Sequence, residues 1–243
     1  MIVDNLSVSY CFFAWKSSDF FVFLHGRGRT KDDWNWYFEK LKEKEIWFLA
    51  LDFPWFWKSQ MPSEVRGVKE YSDFVLHCLQ KLKISTPVSL VCHSFWGRIA
   101  FRLASHQAHW IKKMLLCAPG GVEKILSPFR KKLLSIAKKV FSLPFLRPLK
   151  NFLIKKRGSA DYLSNPMMRK ILVKVVNQDL RSYFPQIQQE TSLFRGTADD
   201  QILSWQIEEM KKGIKYLHYH EFTGGSHDIH FEQKEKILKE MIR

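Results

Sequence analysis

Four short stretches carry residue types that could act together. In Val91-Cys92-His93-Ser94-Phe95-Trp96-Gly97 an apolar run meets an amphipathic one. A serine on a sharp turn between a buried strand and a helix has its hydroxyl lifted above the sheet edge. The same turn aims the next backbone N–H at the oxygen of a bound acyl group. A serine hydroxyl is a weak nucleophile and needs a base nearby. Serine at a helix start is also a common cap, so this stretch does not decide by itself. His25-Gly26-Arg27-Gly28 follows the run Phe20–Leu24. Glycines there let the backbone approach a ligand, and a free N–H can face an oxyanion. Gly196-Thr197-Ala198-Asp199-Asp200 offers a carboxylate able to hold an imidazole by its Nδ1–H, with Asp199 and Asp200 as rivals. Gly224-Gly225-Ser226-His227-Asp228 puts a histidine on a glycine-rich loop.

The elements that must position these residues follow from periodicity. Val8–Ala14, Phe20–Leu24, Ile46–Leu51, Pro87–Cys92, Ile111–Cys117, Thr191–Arg195 and Tyr216–Phe222 read as strands. Lys31–Lys44, Lys69–Leu82, Phe95–Ser105, Gln201–Lys212 and His230–Ile242 read as helices. Repeated β-α units of this length imply a mainly parallel central sheet flanked by helices, an α/β fold. Between Gly121 and Gln189 the rhythm stops; prolines break up several helical pieces. Residues 1–120 and 190–243 are therefore expected to form one core domain, with 121–189 inserted as a helical cap. Ser94, Asp199 and His227 then each fall at the carboxyl end of a strand, in the order Ser…Asp…His. Ligands bind at that edge of open parallel sheets.

On these motifs the chain resembles the α/β-hydrolase superfamily over nearly its whole length. The resemblance implies Ser94 as nucleophile, His227 as general base and Asp199, rather than Asp200, as the acid. It implies oxyanion donors from the backbone N–H groups of Phe95 and Arg27. His25, His93, Trp96, Trp55, Trp57 and Asp228 are expected around the substrate. The implied activity is a serine hydrolase, a carboxylic ester hydrolase of the capped type, needing neither metal nor organic cofactor. Several positions depart from the family: Cys92 stands at the first glycine of the elbow, and Arg27, Arg195 and Asp228 stand where apolar or aromatic residues are more usual. Trp55, Trp57 and Trp96 stand where glycine is usual, and such bulk costs stability through overpacking. This points to a remodelled or engineered pocket, or to a coding sequence that reads UGA as glycine but was translated as tryptophan. The alternative function is a hydrolase scaffold with a Trp-filled pocket that binds ligand or runs a non-native reaction.

Bulk properties bound the partners. The chain has 243 residues, net charge +15 and 15% aromatic residues. Fifteen Lys and Arg against three acids lie between Gly120 and Ser182. That basic, apolar-interleaved stretch allows weak contact with an anionic membrane; nothing resembles a nucleic-acid-binding module. The substrate is expected to be a small apolar or aromatic ester, and the protein a monomer or dimer. Cys11, Cys78, Cys92 and Cys117 are widely spaced and read as free thiols. With no signal-peptide pattern at the start, a cytoplasmic location is expected. His218 and His220 share one strand face, but no third metal ligand lies near them in sequence.

Overall fold

A computed structural model of the chain describes residues 1–15, 17–54, 56, 58–123 and 166–243. Most of the expected cap, residues 124–165, lies outside the described residues, as do Trp55 and Trp57.

The chain opens with a hairpin, β1 (Ile2–Val3) against β2 (Leu6–Ser7), that sequence periodicity did not reveal. Its turn residues Asp4 and Asn5 have φ of 50° and 60°. Asp and Asn tolerate that region, and a tight two-residue hairpin loop requires it at both positions.

Seven further strands form one sheet. They are β3 (Tyr10–Phe13), β4 (Phe20–Leu24), β5 (Trp47–Leu51), β6 (Val88–His93), β7 (Ile111–Cys117), β8 (Glu190–Gly196) and β9 (Leu217–Phe222). Their order across the sheet is β3-β5-β4-β6-β7-β8-β9. Only the β3–β5 pairing is antiparallel. Every residue of the Phe20–Leu24 run and of β6 is buried, as strands covered on both faces must be. The edge strand β9 is half-exposed along its length.

Two helical layers do the covering. On one face α2 (Val68–Lys81) packs on α3 (Gly97–His106), and α3 on a 3₁₀ turn at Arg181–Gln186. α4 (Pro166–Val176) precedes that turn, and α5 (Ser204–Gly213) packs on it. On the other face α1 (Asn35–Glu43) meets α6 (Ile229–Glu232), with α7 (Lys234–Met241) following. There the Tyr37 hydroxyl donates to the His230 carbonyl at 2.7 Å. None of the described helices is long and apolar enough to cross a membrane.

Strand register decides where the chemistry falls. His93 pairs with Cys117, Cys117 with Phe194, and Gly196 with Phe222. Leu24 pairs with Cys92 on the other side of β6. The segments that leave β4, β6, β8 and β9 therefore emerge side by side at one edge.

Candidate active site

Ser94 sits on the turn from β6 into α3 with φ of +52°. A non-glycine residue in the left-handed region costs on the order of 1–3 kcal/mol, which the surrounding packing must offset. His93 and Phe95 on either side are buried. The Ser94 carbonyl accepts from the Gly120 amide at 2.8 Å, tying the elbow to the end of β7.

The Ser94 Oγ lies 2.7 Å from His227 Nε2, and His227 Nδ1 lies 2.9 Å from Asp199 Oδ2. In the consistent proton assignment the serine O–H donates to Nε2, and Nδ1–H donates to the carboxylate. The other oxygen, Oδ1, accepts from the backbone N–H groups of Gln201 at 2.8 Å and Ile202 at 3.0 Å. Burial alone would raise the Asp199 pKa. The His227 contact and the two amides outweigh burial and hold the carboxyl below its ordinary value. Asp200, its rival in sequence, is exposed. The β8 and β9 loops meet closely enough that a Cβ on Gly196 would lie 2.1 Å from the Gly225 carbonyl oxygen. Only glycine lets the carboxylate loop and the histidine loop come so near.

The histidine loop is held from several sides. Ser226 Oγ bonds Glu232 and accepts from the Asp228 amide at 3.1 Å. His93 donates from Nε2 to the His227 carbonyl at 3.1 Å. Beneath it, the rings of His93 and His230 meet with centroids 4.0 Å apart and planes tilted by 32°. Burial, then the neighbouring imidazoles of His230 and His227, push His93 well below its ordinary pKa, so it is neutral. His93, Asp228 and His230 bring donor atoms within 4.8 Å of one another. Arg29, however, pairs with Asp228 at 2.5 Å, placing a positive charge where a cation would have to bind.

The loop after β4 is braced to the loop after β5. His25 donates from Nδ1 to the Gly26 carbonyl at 2.7 Å and accepts the Phe53 amide at Nε2, 3.3 Å away. Asp52 is fully buried and accepts from the Lys31 amide at 2.8 Å and from its ammonium at 3.0 Å. Asp52→Ala removes the buried partner of that ammonium, which keeps the exposed Asp32 at 3.4 Å, and is expected to lower the unfolding free energy by about 1–3 kcal/mol. A urea titration reads this directly; a loss under about 1 kcal/mol would show that water replaces the pair.

A cavity of about 760 Å³ opens at this edge. Ser94, His227, His93, Phe95, Arg27 and Asp228 line it. Trp96 and His25, expected beside the substrate, do not. Trp96 is fully buried behind the wall, stacked on Phe53 at 4.0 Å and packed against Tyr71 and Phe56. Its φ of −85° is one that any residue adopts, so no backbone strain attends the indole. Its Nε1 has no hydrogen-bond partner among the described residues. His25 is buried in the same aromatic group and serves as a loop brace. Two arginines of the cavity, Arg29 and Arg98, were not singled out by sequence reasoning. Arg98 stands one helical turn beyond Ser94, and that spacing was the available signal. His218 and His220 each approach one carboxylate, Glu190 at 3.6 Å and Glu240 at 3.9 Å. They join no cluster of three metal donors among the described residues.

The family model described as alpha/beta hydrolase family matches residues 21–240. The search of curated proteins gave no match. Among solved structures, a membrane phospholipase A described as a bacterial virulence factor superposes with a TM-score of 0.76 at 19% identity, covering 100% of this chain and 86% of that one. The enol-lactonase from Burkholderia xenovorans LB400 gives 0.72 at 19% identity, with 99% and 96% covered. An esterase from Exiguobacterium antarcticum gives 0.71 at 18% identity, with 98% and 94% covered.

Proposed function

The chain belongs to the alpha/beta hydrolase family, and from that premise we propose that it is a serine hydrolase that cleaves carboxylic esters through an acyl-enzyme on Ser94. One observation carries the reading: the unbroken contact from Ser94 Oγ through His227 to Asp199, at 2.7 and 2.9 Å, opening into a cavity. As the Ser94 oxygen attacks the ester carbonyl, its proton passes to His227 Nε2. The imidazolium so formed is stabilised by Asp199. The tetrahedral oxyanion rests on the N–H groups of Phe95 and Arg27, the first at the start of the α3 turn, where the helix dipole adds to the stabilisation. His227 returns the proton to the departing alcohol. Water, deprotonated by the same imidazole, then releases the acid and regenerates the serine.

The alternative of a Trp-filled pocket finds no support at Trp96, because the indole lies behind the cavity wall. The esterase and lactonase neighbours, at 18% and 19% identity, bear on the fold alone.

Intact-mass analysis after treatment with a fluorophosphonate tests the reading. One phosphonyl group per chain is expected on the native protein and none on Ser94→Ala. A folded native chain that takes up no label would mean that the serine is not activated, and the proposal would fall.

A further inference from the structure

Two arginines in the catalytic cavity have no carboxylate within ion-pair distance among the described residues. Arg98 is more than nine-tenths buried, yet it lines the cavity beside Ser94. Among the described residues its Nη1 reaches only the Phe95 carbonyl, at 3.4 Å, and its Nε has no partner. Room for the guanidinium is built into the chain: a Cβ on Gly120 would lie 2.1 Å from Nη1. Gly120 in turn donates to the Ser94 carbonyl at 2.8 Å, which fixes the charge next to the nucleophile. Arg27 lines the same cavity from the loop after β4 and forms no ion pair among the described residues. Arg29, by contrast, is already paired with Asp228.

Resting on the serine hydrolase reading above, we infer that Arg98 and Arg27 form a subsite for an anionic group on the ester itself, so that the enzyme prefers substrates with a carboxylate on the acyl or the alcohol side.

Burying a guanidinium without a counter-charge costs several kcal/mol, and the cost is recovered only when an anion arrives. Burial and the nearby Arg27 lower the Arg98 pKa to about 10, so its guanidinium stays charged at neutral pH. A planar guanidinium with free N–H groups suits the two oxygens of a carboxylate. The acids on the cavity wall do not fill this role: Asp228 is held by Arg29, and Glu123 and Asp200 are exposed. Phe95, Val122, Val176 and Ile202 supply an apolar lining for the rest of the substrate. An apolar body with one anionic end fits better than the uncharged apolar or aromatic ester expected from sequence.

Two matched pairs of aryl esters test this on the full chain. One pair is mono(4-nitrophenyl) glutarate and its methyl ester, charged or neutral on the acyl side. The other is 4-acetoxybenzoate and its methyl ester, charged or neutral on the alcohol side. In at least one pair, kcat/KM for the anion is expected to exceed that for the neutral ester by about tenfold or more. That ratio should fall towards one in Arg98→Gln and in Arg27→Gln. The second variant removes an exposed side chain and guards against a folding defect in the first. Ratios near one in both pairs for the native chain, or ratios unmoved by either variant, overturn the inference. If no ester is turned over and no fluorophosphonate is taken up, the hydrolase reading fails instead. Calorimetric titration of Ser94→Ala with glutarate then decides the subsite on its own: binding that weakens about tenfold in the added Arg98→Gln supports it, and no binding removes it.

Discussion

Asp199→Asn is expected to lower kcat on an aryl ester by about 10⁴-fold while leaving the fold intact. The size follows from how the carboxylate is held. Oδ1 accepts from two backbone amides, those of Gln201 and Ile202. An asparagine in that place must keep its carbonyl oxygen on those amides, because its NH₂ cannot accept from them. Its NH₂ then takes the position of Oδ2 and donates to His227 Nδ1. The imidazole answers by carrying its proton on Nε2, the nitrogen that should accept from Ser94. The base is thus locked in the wrong tautomer, and the imidazolium of the transition state loses its counter-charge as well. Ser94→Ala removes the nucleophile altogether and is expected to cost on the order of 10⁶-fold. Steady-state kinetics on one ester, with circular dichroism to check folding, separates the two. A loss under tenfold in Asp199→Asn would mean that His227 is oriented by something other than this carboxylate.

Most of what positions these residues could be read from periodicity, and the failures have local causes. The wholly apolar Phe20–Leu24 run coincides with β4, because a strand buried on both faces has no polar alternation to blur its ends. The helix expected at Lys31–Lys44 instead begins as a 3₁₀ turn, Lys31–Trp34, before α1. Thr30 caps that turn through its side chain on the Asp32 amide, and Lys31 is drawn to Asp52, a partner that only the fold supplies. The helix expected at His230–Ile242 breaks at Gln233, whose φ of −120° is not helical. At the site, chain order gave Ser94, Asp199 and His227 as a set, since each follows a strand and strand ends are legible. Residues left Asp199 and Asp200 as rivals; which of them faces His227 depends on the turn after β8, which pattern does not encode. Side-chain direction was illegible for the same reason. Trp96 was expected in the pocket because it is two residues from Ser94, yet it turns to the opposite side and completes an aromatic cluster with Phe53, Phe56 and Tyr71. Arg98 went unremarked because an arginine on an amphipathic helix ordinarily points to solvent.

Acidification below about pH 6.5 is expected to destabilise the protein steeply, well before its carboxylates titrate. His25, His93 and His230 are all buried, with relative exposures of 0%, 2% and 0%. Burial lowers the pKa of each below the ordinary histidine value of 6.5. For His25 the Gly26 carbonyl pulls the other way, and for His230 Asp33 does, but neither overcomes burial. A folded-state pKa below the unfolded one means that the unfolded chain binds more protons. The contribution of these groups is therefore complete above about pH 6.5 and is lost as pH falls towards the folded values. Each histidine that stays neutral while its unfolded counterpart protonates costs up to about 1.4 kcal/mol per pH unit. Three together set an upper limit of about 4 kcal/mol per pH unit, against a total stability of about 5–15 kcal/mol for an ordinary domain. Asp199 contributes in the same direction but lower, because its pKa is held under the ordinary 3.8 and its contribution fades only as pH falls through that range. Urea unfolding at pH 7.5, 6.5 and 5.5 should give falling midpoints, and His93→Gln or His230→Gln should each flatten the slope by up to one proton's worth. Equal midpoints at all three pH values would mean that the imidazoles beneath the catalytic loop protonate in place, and that the adjacent pair of His93 and His230 tolerates charge that burial ought to forbid.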